Sequence, residues 1–177
     1  MSLPTIADLL DEYERALRHT DDLVADLTDA EVAWRPHPES SAIGWHLGHQ
    51  AAVSHFTVRN LIAAEPPLDD ELDRLMDSAT AESERGDLPG RDRLLAYRSS
   101  AAERLRFHVT AIDEGRVGAP AQLRLVAAHL LVAVTNHEYQ HDTWIGEVRR
   151  DAHGRELPPD PVSPLLSTLD GHLVVGA

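Results

Sequence analysis

The sequence predicts an all-α protein: one domain over residues 1–177, built as an antiparallel four-helix bundle with a long crossover connection and a proline-rich C-terminal tail. Four long segments repeat their apolar residues at helical spacing, a long acidic stretch separates the second from the third, and no run alternates as a strand would.

The first helix is expected over about 5–27. Thr5 with Asp8 three residues on makes a capping box, and Ile6, Leu9, Leu10, Tyr13, Leu17 and Leu23 form one stripe. Thr28 with Glu31 makes a second capping box for a short turn that must stop before Pro36, in a loop expected to seat Trp34 against the bundle. Ser40 or Ser41 offers the N-cap of a second long helix over about 41–64. Its apolar residues surround much of its circumference, as in a helix buried on several sides. Residues 66–90 read as the crossover, with a short helix from Leu68 to about Ala79. A third helix over about 91–113 ends at Gly115 and Gly118, and a fourth over about 120–149 carries LRLVAAHLLVAV into TNHEYQH. Four prolines then make a tail over 150–177 whose leucines can fold back on the bundle.

Composition excludes several classes. Sixteen basic against thirty acidic residues give a net charge of −14, which repels phosphate backbones and anionic lipid, so no nucleic acid and no membrane is expected as a partner. Without cysteine, the chain has no disulfide, no Cys-ligated zinc and no cysteine nucleophile. That suits a cytoplasmic location, as does an N-terminal run with charges where a signal peptide needs apolar residues.

The chemistry concentrates in HEYQH, His137 to His141. Two histidines four apart on a helix point about 40° from each other and lie roughly 6 Å apart along the axis, so both can grip one metal ion. Catalytic zinc commonly takes three protein ligands. HExxH is the zinc-protease signature, with Glu138 then the catalytic general base. The protease context is missing, however: a metzincin would place Gly at 144 and His at 147, where this chain has Trp144 and Glu147, and Glu156 lies in the proline-rich tail. The stronger source of a third ligand is GWHLGH in the second helix, where His46 and His49 can both face the core. His49, His137 and His141 would make a three-nitrogen site, with His46 beside it and Trp144, one turn past His141, lining the pocket.

Trp34-Arg35-Pro36, then GWHLGH, then Pro89-Gly90-Arg91, then HEYQH give an order and spacing that resemble the DinB/YfiT-like metalloenzyme superfamily, including the DinB-type N-terminal domain of the ergothioneine sulfoxide synthases. The resemblance implies one divalent ion (zinc, nickel or iron) on the residues matched by His49, His137 and His141, and a homodimer. It also implies thiol S-transfer from mycothiol, bacillithiol or a related small thiol. Two departures stand out. Members commonly have Gly-Gln after the last histidine, where this chain has Asp142-Thr143-Trp144. The synthases often place a glutamate two residues after the last histidine, where this chain has Thr143, and their catalytic C-terminal domain is not expected in a single 1–177 domain, so sulfoxide synthesis is not carried over.

The expected function is metal-dependent transfer of a low-molecular-weight thiol co-substrate to an electrophilic small molecule, with Arg59, Arg98 or Arg106 available for a thiol carboxylate. The alternatives are a metal-dependent hydrolase with Glu138 or Asp142 as proton carrier, and a non-catalytic metal-binding stress-response protein.

Overall fold

A computed structural model describes residues 4–81 and 85–176, which are mostly helical. The order is α1 (Ile6–Val24), α2 (Asp29–Ala33), α3 (Ile43–Thr57), α4 (Asp70–Leu75), α5 (Arg91–Asp113), α6 (Pro120–Asp151), then strands β1 (Leu166–Leu169) and β2 (His172–Val175). No helix among the described residues is long and apolar enough to cross a membrane.

Both expected capping boxes form: Thr5 Oγ1 accepts from Asp8 N and Thr28 Oγ1 from Glu31 N, while each acid returns to the cap's N–H. Helix α3 starts two residues later than expected, on Ala42 with no side-chain cap, and its end widens into a π-helical turn over Val58–Ile62. At the end of α5, Gly115 at φ 73° lets Arg116 N reach Ala111 O and Gly115 N reach Ile112 O, a Schellman closure.

Side-chain contacts fix the helix directions. Glu12 meets Tyr139, Thr20 meets Asp142 and Asp26 meets Arg149, so α1 and α6 run parallel. Gly44 lies on Leu94, Gln50 on Arg98 and His55 on Arg104, so α3 and α5 also run parallel. The pairs oppose one another, since His46 reaches His141 while Gln50 reaches the carbonyl of Glu138. These parallel pairs correct the antiparallel arrangement expected, while the expected long crossover connection is present. The connection after α3 is long enough to bring the chain back along the helices, so α5 repeats the direction of α3. Arg104 and His108 on α5 pin that connection at Pro66 O and Glu65.

Helix α3 is buried almost all round its first three turns, as its composition predicted. Two apolar clusters fill the ends of the molecule. One gathers Leu23, Ile43, Leu47, Leu94 and Ile145, the other Ile6, Leu9, Val58, Leu105, Ile112 and Leu131.

The tail differs from expectation. Residues 166–175 form an antiparallel hairpin, with Leu169 opposite His172 across Asp170-Gly171, both at positive φ as a type I′ turn requires. It docks on α6 through buried Val175, whose N–H donates to Asn136 Oδ1 at 2.7 Å. Trp34 also departs: it is 40 % exposed and packs edge-on against His153.

Candidate metal centre

GWHLGH owes its two glycines to close packing. A Cβ on Gly44 would lie 3.0 Å from Val32 Cγ1 and 3.1 Å from Leu94 Cδ1, and a Cβ on Gly48 would lie 2.3 Å from Met76 Sδ. Bare backbone at 48 therefore lets Met76, just past α4, settle onto α3. Its carbonyl then accepts a hydrogen bond from His49 Nδ1 at 2.7 Å. A carbonyl cannot donate, so Nδ1 carries the proton and Nε2 offers its lone pair.

His49 meets the two histidines of α6. One nitrogen from each of His49, His137 and His141 lies within 4.8 Å of the others, the one such group of three among the described residues that can hold a metal ion. Ring centroids are 4.4 Å apart for His137 and His141, and His49 lies 5.2 Å from His137 and 5.1 Å from His141. Tetrahedral zinc with Zn–N near 2.0–2.1 Å separates its nitrogens by about 3.4 Å, so donors within 4.8 Å of one another need to close by at most about 1.4 Å.

His46 stands behind His141, with Nδ1···Nδ1 at 2.8 Å. If His141 presents Nε2 to an ion, its Nδ1–H donates to His46, the outer hydrogen bond that metal-bound histidines generally make. Aromatic rings enclose the group. Trp45 stacks on His49 at 4.5 Å with Arg85 over its other face at 4.3 Å, and Trp144, 38 % exposed, stands edge-on to His141 at 4.9 Å. Burial holds the imidazoles neutral: His46 and His137 are lowered to about 4, and His141 to about 2 with help from its neighbouring histidines. His49 is lowered by the same desolvation. Neutral imidazoles are the form that binds metal.

Glu138 is 1 % exposed, and its carboxylate is not one of the groups within reach of the three nitrogens. It turns instead to Arg98, whose Nη1 lies 2.6 Å from Oε2. Gln50 completes the layer: its Nε2 donates to Glu138 O at 3.0 Å and Asp142 Oδ1 at 3.1 Å, while its Oε1 accepts from Arg98 at 3.2 Å. Thr20 donates to Asp142 Oδ1 at 2.7 Å. Burial pushes both carboxyls upward, Asp142 to about 8 with Glu138's charge adding to the effect.

Each of the three histidines is thus followed by a member of this network, His49 by Gln50, His137 by Glu138 and His141 by Asp142. A helix turns about 100° per residue, so one residue faces the cluster and the next locks its helix to the neighbours. Gln50 and Thr20 escaped the sequence reading. Polar residues next to each histidine on otherwise apolar helices were the available signal.

Of the three arginines expected to meet a ligand carboxylate, Arg98 is buried against Glu138 and Arg106 is paired with Glu14 at 2.7 Å. Arg59 borders a cleft of about 370 Å³ that begins at His49 and Met76.

A family model described as the DinB superfamily matches residues 12–145, which span every residue of the cluster and its supporting network. The chain belongs to the DinB superfamily. A search of curated proteins finds no match. The matched segment stops before the hairpin, so that extension lies outside what the family model describes.

Proposed function

We propose that this DinB-superfamily protein is a metal-dependent enzyme that transfers a low-molecular-weight thiol, of the mycothiol or bacillithiol type, to an electrophilic small molecule. It joins sulfur to the electrophilic carbon and releases a proton and the leaving group. We read its four long helices as a four-helix bundle, working as a cytoplasmic homodimer. The observation that carries this reading is the three-histidine cluster beside an open cleft in a chain without cysteine, so that the reacting sulfur must come from a small molecule.

His49, His137 and His141 would hold the ion. When bound, a divalent ion supplies a Lewis-acidic position at which a thiol is deprotonated at neutral pH. The chain's own residues do the rest. Met76 O orients His49, His46 accepts the outer hydrogen bond of His141, and Trp45 and Trp144 shield the rings from water. Gln50 and Arg98 hold α3, α5 and α6 at one spacing, and Glu138 serves as counter-ion to Arg98 rather than as a proton carrier.

The test is turnover by zinc- and nickel-loaded protein, offering small thiols with a chloronitroaromatic electrophile in one assay and esters and amides in another. Thioether formation that requires both metal and thiol is expected. Ester or amide cleavage without thioether would move the assignment to a hydrolase, and inactivity in both would leave a non-catalytic metal-binding protein.

A further inference from the structure

All sixteen basic residues of the chain are arginines, and most are tied to a carboxylate or a carbonyl. Arg98 holds Glu138, Arg106 holds Glu14, Arg93 holds Asp69 and Glu71, and Arg149 holds Asp26. Arg59 differs. It is exposed on the π-helical turn that ends α3 and makes no hydrogen bond or ion pair with another described residue. It borders the cleft between α3, α4 and α5, whose other end is His49 and Met76. Ala52, Val53 and Phe56 form an apolar wall between those ends, with Phe56 57 % exposed and so available to a ligand. The volume, about 370 Å³, falls at the lower end of the range for small-molecule sites.

The charges around the cleft narrow the ligand. Asp73 accepts from the Tyr97 hydroxyl at 2.7 Å and lies 3.8 Å from His55 Nδ1, and Asp77 caps Ala79 N at 2.8 Å. These carboxylates, in a chain of net charge −14, oppose a dianion such as a phosphate monoester more strongly than a single carboxylate. A carboxylate also matches the planar guanidinium fork with two parallel hydrogen bonds.

We propose that this cleft is the substrate pocket and that it selects an apolar small molecule carrying one carboxylate, with Arg59 as the specificity-determining residue and the opposite end of the molecule lying at His49. The placement of the reacting end rests on the metal-centre reading above. Carboxylate capture by Arg59 does not.

The test therefore uses probes without a thiol. Binding of 4-phenylbutyrate, 4-phenylbutyramide and phenylphosphonate is followed by calorimetry and amide-shift NMR, on wild type and on Arg59→Ala and Arg59→Lys, each with and without zinc. Wild type is expected to bind the carboxylate at least about tenfold more tightly than the amide, with or without zinc, and with shifts at Val53 and Phe56. Arg59→Ala is expected to erase that preference while leaving the amide's affinity within about twofold, and Arg59→Lys to keep part of it. Arg59 is exposed, so an unchanged melting curve checks that these variants fold. Equal binding of acid and amide, no binding, a preference that survives Arg59→Ala, or tighter binding of the phosphonate would each overturn the proposal. A carboxylate preference that follows Arg59 in a protein with no thiol-transfer activity would uphold this proposal and sink the functional reading alone.

Discussion

The middle of the helical assembly and its two ends are built on opposite principles. At the ends, Leu94, Leu47 and Ile145, or Leu105, Ile112 and Leu131, fill space with apolar side chains that gain by leaving water. Between them Thr20, Gln50, Arg98, Glu138 and Asp142 form a buried polar layer whose members hold one another. A buried ion pair such as Arg98–Glu138 contributes little net stability against the cost of desolvation, so its presence calls for another purpose. Its position supplies one: the layer sits one residue beyond each histidine of the cluster. The ends make the protein stable, and the middle makes the site a particular shape.

That division can be broken by experiment. The largest expected effect is from Arg98→Met, which leaves Glu138 and Asp142 buried without their cation. Chemical denaturation should show a loss of about 3–5 kcal/mol, accompanied by weaker zinc binding. Leu105→Ala, at a fully buried end position, should cost about 2–5 kcal/mol in the same measurement while zinc still binds stoichiometrically to the folded fraction. If Leu105→Ala strips the metal as well, the two regions are not separable. Gly48→Ala should cost about 1–3 kcal/mol, because the new methyl collides with buried Met76. By moving the Met76 carbonyl off His49 it should weaken zinc binding without removing any ligand.

The smallest effect is the pH dependence of the metal-free protein, and its sign follows from two opposite shifts. His46, His137 and His141 have folded values well below the ordinary 6.5, so the unfolded chain takes up protons first. Their contribution is complete above about 6.5 and is lost as pH falls, through about 4 for His46 and His137 and through about 2 for His141. Asp142 is raised to about 8, so the folded chain keeps a proton that the unfolded chain releases above the ordinary 3.8. Its contribution is present at acid pH and is lost as pH rises through about 8. Denaturant midpoints for metal-free protein should therefore peak near neutrality, and a steady rise from pH 4 to pH 9 would contradict the account.

Much of this was legible in the residues. Thr5 and Thr28 announced their caps, Gly115 its helix end, and the spacing of His137 and His141 their shared face, because each is a local matter settled within a turn or two of chain. Helix direction was not legible, since it depends on the path of a long connection that carries no periodic signal. The hairpin was missed although Asp170-Gly171 is a strong turn signal, because its strands are only four residues long and alternate weakly. Gln50 drew no reading of its own and Arg98 read as a ligand-facing cation, and only the partners across the interior, Glu138 for Arg98 and Asp142 for Gln50, show that both are buried.

The central claim is that His49, His137 and His141 hold one divalent ion. Metal content per chain, measured after equilibration with zinc and gel filtration, tests it most directly on wild type and on the single alanine variants of the three histidines. The account predicts one ion per wild-type chain and its loss from each variant. Stoichiometric zinc retained by all three variants would contradict it.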